Sequence, residues 1–165
     1  MTKRHYLILG ATAALCLTSI AYLLWPSPTA DQVMADFYKA EWRAEVMLMD
    51  PLILNADIVA PVVIESVKNK KMDKRRYAIG FLGNESIVEA LPVLRTILAD
   101  ETEVDHFRAD ALEAIFQIRQ QEGQSLAKIH SHREDFLGHI AKGLLSGAHI
   151  PFHRTYAEAL VGHKD

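Results

Sequence analysis

Two groups of side chains in this 165-residue sequence have types and spacings that could do chemistry. The first is Lys68-Asn69-Lys70-Lys71-Met72-Asp73-Lys74-Arg75-Arg76, with six basic residues in nine. Such a run serves either as a contact for an acidic partner or anionic head groups, or as a solvated turn with an arginine used internally. Its candidate partner-binding residues are Lys68, Lys70, Lys71, Lys74 and Arg76. Asp100-Glu101-Thr102-Glu103-Val104-Asp105 carries the opposite sign. The two segments can pair with each other or make head-to-tail contacts. The second group is histidine, seven of which follow residue 100. His130 and His132 are two apart and do not share a helical face. His149 and His153 are four apart, but Pro151 lies between them. With His163 these could assemble a three-imidazole zinc site. No H-E-x-x-H motif accompanies them. The expectation is no metal and no cofactor; charge that changes near neutral pH in the C-terminal third is the other role these histidines leave open.

The sequence has no glycine-rich phosphate loop, no G-x-S-x-G, and no pair of carboxylates that spacing alone places in a cleft. Cys16 is the sole cysteine, so an intramolecular disulfide and a Cys-based zinc site are excluded. A net charge of −3 does not fit a general nucleic-acid binder. A binding protein is therefore expected rather than an enzyme.

The elements that would position these residues begin with an apolar run. Tyr6 to Trp25 holds 16 apolar residues in 20 and no charge. As a helix it spans about 30 Å, the thickness of a bilayer's hydrocarbon core. It is longer than the apolar part of a cleaved signal, and Trp25-Pro26 ends it with an interfacial aromatic and a helix stop. Lys3 and Arg4 precede it, while Asp31, Asp36 and Glu41 dominate the other flank. The positive-inside rule then puts residues 1–5 in the cytoplasm and residues 26–165 outside, the periplasm of a bacterium. Residues 26–165 alone are about 46% apolar.

After Pro26, apolar residues recur at three and four rather than two, so the soluble part reads as all-α. Expected helices cover Thr29 to Met49, Asn55 to about Lys68, Asp73 to Leu82, Ile87 to Ala99 and Asp105 to about Gln121. Weaker ones cover 125–130, 134–145 and 151–161. Thr29 or Asp31 is placed as the first cap, Asp73 as a later one, and Gly83-Asn84 and Gly123 as helix stops. Asp50-Pro51 is placed as the end of the first helix. Met34, Phe37, Tyr38, Trp42, Met47 and Met49 are expected to pack on the first repeat.

The middle repeats. Ala60-Pro61-Val62-Val63 aligns with Leu91-Pro92-Val93-Leu94, and Arg75-Arg76-Tyr77-Ala78-Ile79 with Arg108-Ala109-Asp110-Ala111-Leu112. A period near 32 with two helices per unit marks an α-solenoid. ALPVLRTILAD…FRADALEAIFQI resembles a HEAT-like repeat of the phycobilisome-lyase-like type, with clearest units at about 56–84 and 86–121. The resemblance implies that Asp100 and Arg108, with Arg75, form a structural ladder between units, and that Pro92 bends its helix. The expected protein is a single transmembrane signal-anchor followed by a short solenoid of helical hairpins. Its expected work is protein–protein scaffolding in a larger membrane assembly, without nucleic acid. An inhibitor or immunity-type periplasmic binder and a small His-dependent metal-binding protein are the alternatives.

Overall fold

The structure, a computed structural model, describes residues 27–40 and 47–148. The apolar run at 6–25, Trp42 and the expected helix at 151–161 lie outside them. Within the described residues no helix is long and apolar enough to cross a membrane.

The described residues are helical and contain no strand. The helices are α1 (Ala30–Lys39), α2 (Asp50–Ile53), α3 (Ala56–Ser66), α4 (Arg75–Asn84), α5 (Leu91–Ala99), α6 (Asp105–Ile118), α7 (Gln120–His130) and α8 (Phe136–Ser146). A 3₁₀ turn at Val88–Ala90 leads into α5. Thr29 caps α1 through a reciprocal box: the Gln32 N–H donates to Thr29 Oγ1 and the Thr29 N–H to Gln32 Oε1 at 2.8 Å. Asp135 caps α8 by accepting from the Gly138 N–H at 2.9 Å.

Several expected boundaries need correction, each for a local reason. α1 ends at Lys39, and Pro51 opens the short α2 because it occupies the first turn, where no N–H is needed. Asp73 does not cap α4. Lys74 takes the position before the helix in a left-handed conformation with φ 55°. Gly83 and Asn84 belong to α4, and the chain turns at Ser86, φ 53°. Gly83 serves close approach instead: a Cβ there would stand 2.7 Å from the Ala114 Cα of α6. Gly123 likewise lies inside α7, where a Cβ would meet the Phe116 Cα at 2.3 Å; the real break is at Arg119, with φ −139°. Pro92 sits in the first turn of α5, where its missing N–H takes no hydrogen bond from that helix. Pro61, inside α3, is the proline that does remove one.

One apolar core runs through all the helices and includes Phe37, Met49, Leu52, Phe81, Leu82, Leu94, Leu112, Ile115 and Leu137. Met34, Phe37 and Met49 are buried in it, as their stripe predicts, whereas Tyr38 of the same set is exposed. Burying a side chain such as Phe81 contributes about 2–3 kcal/mol. Packing order follows the chain in pairs. α1 lies on α2 and α3; α3 lies on α4; α5 on α6; α7 on α8. Between pairs, α4 packs along α6, and α6 packs along both α7 and α8. Small residues at the crossings, Ala78, Gly83, Ala111 and Ala114, let the backbones come together while Leu and Ile fill the flanks.

Candidate interaction site

The basic segment 68–76 covers most of the connection between α3 and α4 and the first two residues of α4, and most of its cations are already engaged. Lys68 pairs with Glu65. Lys70 Nζ lies 2.6 Å from Asp100 Oδ2 and donates to Thr102 Oγ1 at 2.9 Å. Lys74 Nζ donates to the carbonyls of Phe37 at 2.8 Å and Tyr38 at 2.9 Å, where it meets the negative end of α1. Arg76 Nε stands 3.4 Å from Asp110 Oδ1. Lys71 is exposed at the tip of the turn. The two segments of opposite sign thus meet along one edge of the molecule. Asp100, held by Lys70 and by the Thr102 hydroxyl and N–H, stays well below the ordinary carboxylate range.

Arg75 and Arg108 perform the same task one repeat apart. Arg75 Nε donates to the Val67 carbonyl at the end of α3, 2.8 Å, and Arg108 Nε to the Leu98 carbonyl at the end of α5, 3.0 Å. Each tethers the first helix of a pair to the second by filling an orphan carbonyl. The link between pairs differs from the expectation. Asp100 reaches Lys70, whereas Arg75 bonds Glu103 at 2.6 Å, both side chains being at least 97% buried, with the guanidinium 5.0 Å from the centroid of Phe107. Arg108 faces Asp105 at 3.5 Å. Arg133, ahead of α8, pairs with Asp135 and lies 3.7 Å from Asp105. Asp135 is held near pH 2 by Arg133.

A second polar feature was not legible in the sequence. α4 and α6 enclose a groove of about 250 Å³, its open mouth included, lined by Arg76, Gly80, Asp110, Glu113, Ala114 and Gln117. Gly80 and Ala114 keep the walls low, and the surface left open in the groove is mostly apolar, since Asp110 and Glu113 are largely buried. Asp110 is 11% exposed and Glu113 is buried, so two carboxyl groups sit three residues apart on one helix face. Asp110 Oδ2 is fully buried and has no hydrogen-bond partner. Burial pushes the Asp110 carboxyl up to about 7, Glu113 adds to the rise, and Arg76 opposes it. Gln117 Nε2 donates to Asn84 Oδ1 at 3.0 Å and closes the far end. Arg76 and Asp110 are 34 residues apart, one more than the Arg75-to-Arg108 repeat. That near-period is the signal that would have placed them side by side.

Of the histidines, His130 is held below its usual range by burial and by the nearby Arg108, Arg133 and His132. Among the described residues no group of three or more His, Cys, Asp or Glu is arranged to hold a metal ion. His149, His153 and His163 lie outside those residues. Comparison with protein-family models, with curated proteins and with solved structures gives no match.

Proposed function

We propose that this chain is a membrane-anchored scaffold subunit: residues 6–25 hold it in a bacterial inner membrane, and a short solenoid of HEAT-like hairpins outside that membrane holds a protein partner within a larger assembly. It works by binding rather than by catalysis. The observation that carries this reading is the packing order. Second helices α4, α6 and α8 lie side by side, and the Arg75 and Arg108 clamps recur one repeat apart. A stack of repeated pairs offers an extended face rather than a deep pocket. The groove between α4 and α6 lies on that row, and Lys71 extends the surface at the turn. Lys68, Lys70, Lys74 and Arg76 have internal partners, so their part in partner contact is secondary. Support for the anchor comes from the length of the apolar run and from the charge asymmetry around it.

The test is purification of the full chain in mild detergent with mass spectrometry of what co-purifies, repeated on Gln117→Arg, which alters the second-helix face. A protein retained by the wild type and lost from the variant supports the reading. A chain that elutes alone, or a partner indifferent to that face, overturns it.

A further inference from the structure

The chain enters its first helix on a short tether. Residues 26–28 alone separate Trp25, the end of the apolar run, from the cap Thr29. Fully extended, the backbone from Trp25 to Thr29 reaches at most about 14 Å. The head-group layer of a bilayer takes up roughly 5–8 Å of that reach. With residues 6–25 across the membrane, the start of α1 therefore stands at the lipid surface.

The hydrogen bonds decide which end of the folded part is brought down with it. The last carbonyls of α1 and of α3 are both bound at the start of α4, by Lys74 and Arg75. α1 also packs on α2, which precedes α3. So α1 and α3 run the same way and α4 runs back. The start of α1, the α2–α3 corner and the turn after α4 share one end. The basic turn with Lys71 occupies the other, about 16 Å away along the 11 residues of α3.

At the tethered end, residues 27–32, 50–58 and 83–92 contain no lysine or arginine. They present Leu54, 56% exposed, Val88, 49%, and Ile58, 39%. Asp31, Asp57 and Glu89 are exposed beside them. Single exposed apolar side chains are common, and Val104, which follows the Glu103 partner of Arg75 at the opposite end, is 53% exposed. What sets Leu54, Ile58 and Val88 apart is the tether. It keeps them beside lipid at high effective concentration, so a contact too weak to hold a free domain suffices.

We infer that the α2–α3 corner and the turn ahead of α5 rest on the bilayer, with Leu54, Ile58 and Val88 in the lipid interface and the basic turn facing away from it. This rests on the anchor in the reading above and adds to it an orientation and a second membrane contact. The contact is apolar, since carboxylates without a cation in these segments give no attraction to anionic head groups. Lys71 is left to face an acidic protein partner rather than the head groups of its own leaflet.

Spin labels test this in the full chain, reconstituted into vesicles of phosphatidylethanolamine and phosphatidylglycerol. Leu54→Cys, Val88→Cys and Val104→Cys are labelled singly in a Cys16→Ala background, and the native Cys16 is labelled separately to report the anchor. The three positions are exposed, so substitution there is tolerated. Each label's relaxation is measured with oxygen, which concentrates in the bilayer, and with a nickel chelate, which stays in water. The expected oxygen-to-nickel ratio at Leu54 and Val88 is several-fold above that at Val104, with Cys16 highest. Vesicles of phosphatidylcholine alone should give the same order. Equal ratios at positions 54, 88 and 104, or immersion of 54 and 88 only when phosphatidylglycerol is present, overturn the proposed contact. Cys16 in hydrocarbon with 54 and 88 in water overturns the contact and leaves the anchor standing. Cys16 in water overturns the anchor and the contact with it.

Discussion

Replacing Asp110 by Asn separates the cost of a buried carboxylate from the geometry of the groove. Asn keeps the shape and removes the charge. In the folded chain Asp110 holds its proton up to about pH 7, whereas the ordinary value is 3.8. The folded state therefore binds more protons over that window, and stability falls as pH rises through it. The contribution is whole below 3.8, erodes to about 7 and is level above. Each unit is worth 1.36 kcal/mol, so the full cost at high pH is roughly 4 kcal/mol as a ceiling. Between pH 5.5 and 8.5 the wild type should lose about 2 kcal/mol through this group. His130 works the other way. Its folded-state value is lowered, so its share of stability rises with pH through the neutral range. The difference between wild type and Asp110→Asn cancels it. Urea unfolding followed by helical circular dichroism, at both pH values, measures that difference. Asp110→Asn should be the more stable chain at pH 8.5, by about 1–4 kcal/mol, with the gap narrowing by about 2 kcal/mol at pH 5.5. Equal pH slopes in the two proteins would show that Asp110 is not buried as a neutral acid, and the account of the groove would fail.

Gly83→Ala puts a methyl 2.7 Å from the Ala114 Cα, backbone that cannot yield as a flexible side chain does, and should lower stability by about 1–3 kcal/mol in the same urea assay. Glu103→Gln leaves Arg75 buried without its counter-charge, at a cost of about 3–5 kcal/mol; a double variant, Arg75→Met with Glu103→Leu, should recover much of it, and additivity of the single effects would contradict the pairing. Lys71→Glu, at an exposed tip, should change stability by no more than about 0.5 kcal/mol, whereas Lys74→Met strips the α1 carbonyls of their cation and should cost about 1–2 kcal/mol.

What could be read from the sequence was whatever repeats locally. Apolar spacing placed the helices, and matched arginines at 75 and 108 identified equivalent positions, which both prove to clamp the end of a preceding helix. Opposite signs at 68–76 and 100–105 left open a pairing of the two turns, and Lys70 with Asp100 makes it; which residues would meet was not readable. Glycine was the main source of error. Gly83 and Gly123 read as stops because a lone glycine near a pattern's end is a good C-cap. Their use is set by a neighbouring helix that local sequence does not contain. Lys74 in a left-handed conformation was equally hidden, since lysine is not a residue that advertises φ above zero. The groove was invisible for a related reason. Asp110 and Glu113 look like any solvated pair on a helix until α4, through Gly80 and Arg76, covers them.

Lys74 also has a mechanical meaning. Its ammonium holds the last carbonyls of α1 and lies 5.6 Å from the centroid of Phe37. In the anchored protein proposed above, tension from the bilayer enters the folded part at Thr29 and is passed along α1. The lysine then acts as a rivet between that entry helix and the first repeat, loaded in shear, where many contacts must give way together. In such a protein a tug on the anchor would be borne by α1 and its rivet before it reached the later helix pairs, which would keep their packing while the load is carried at the first.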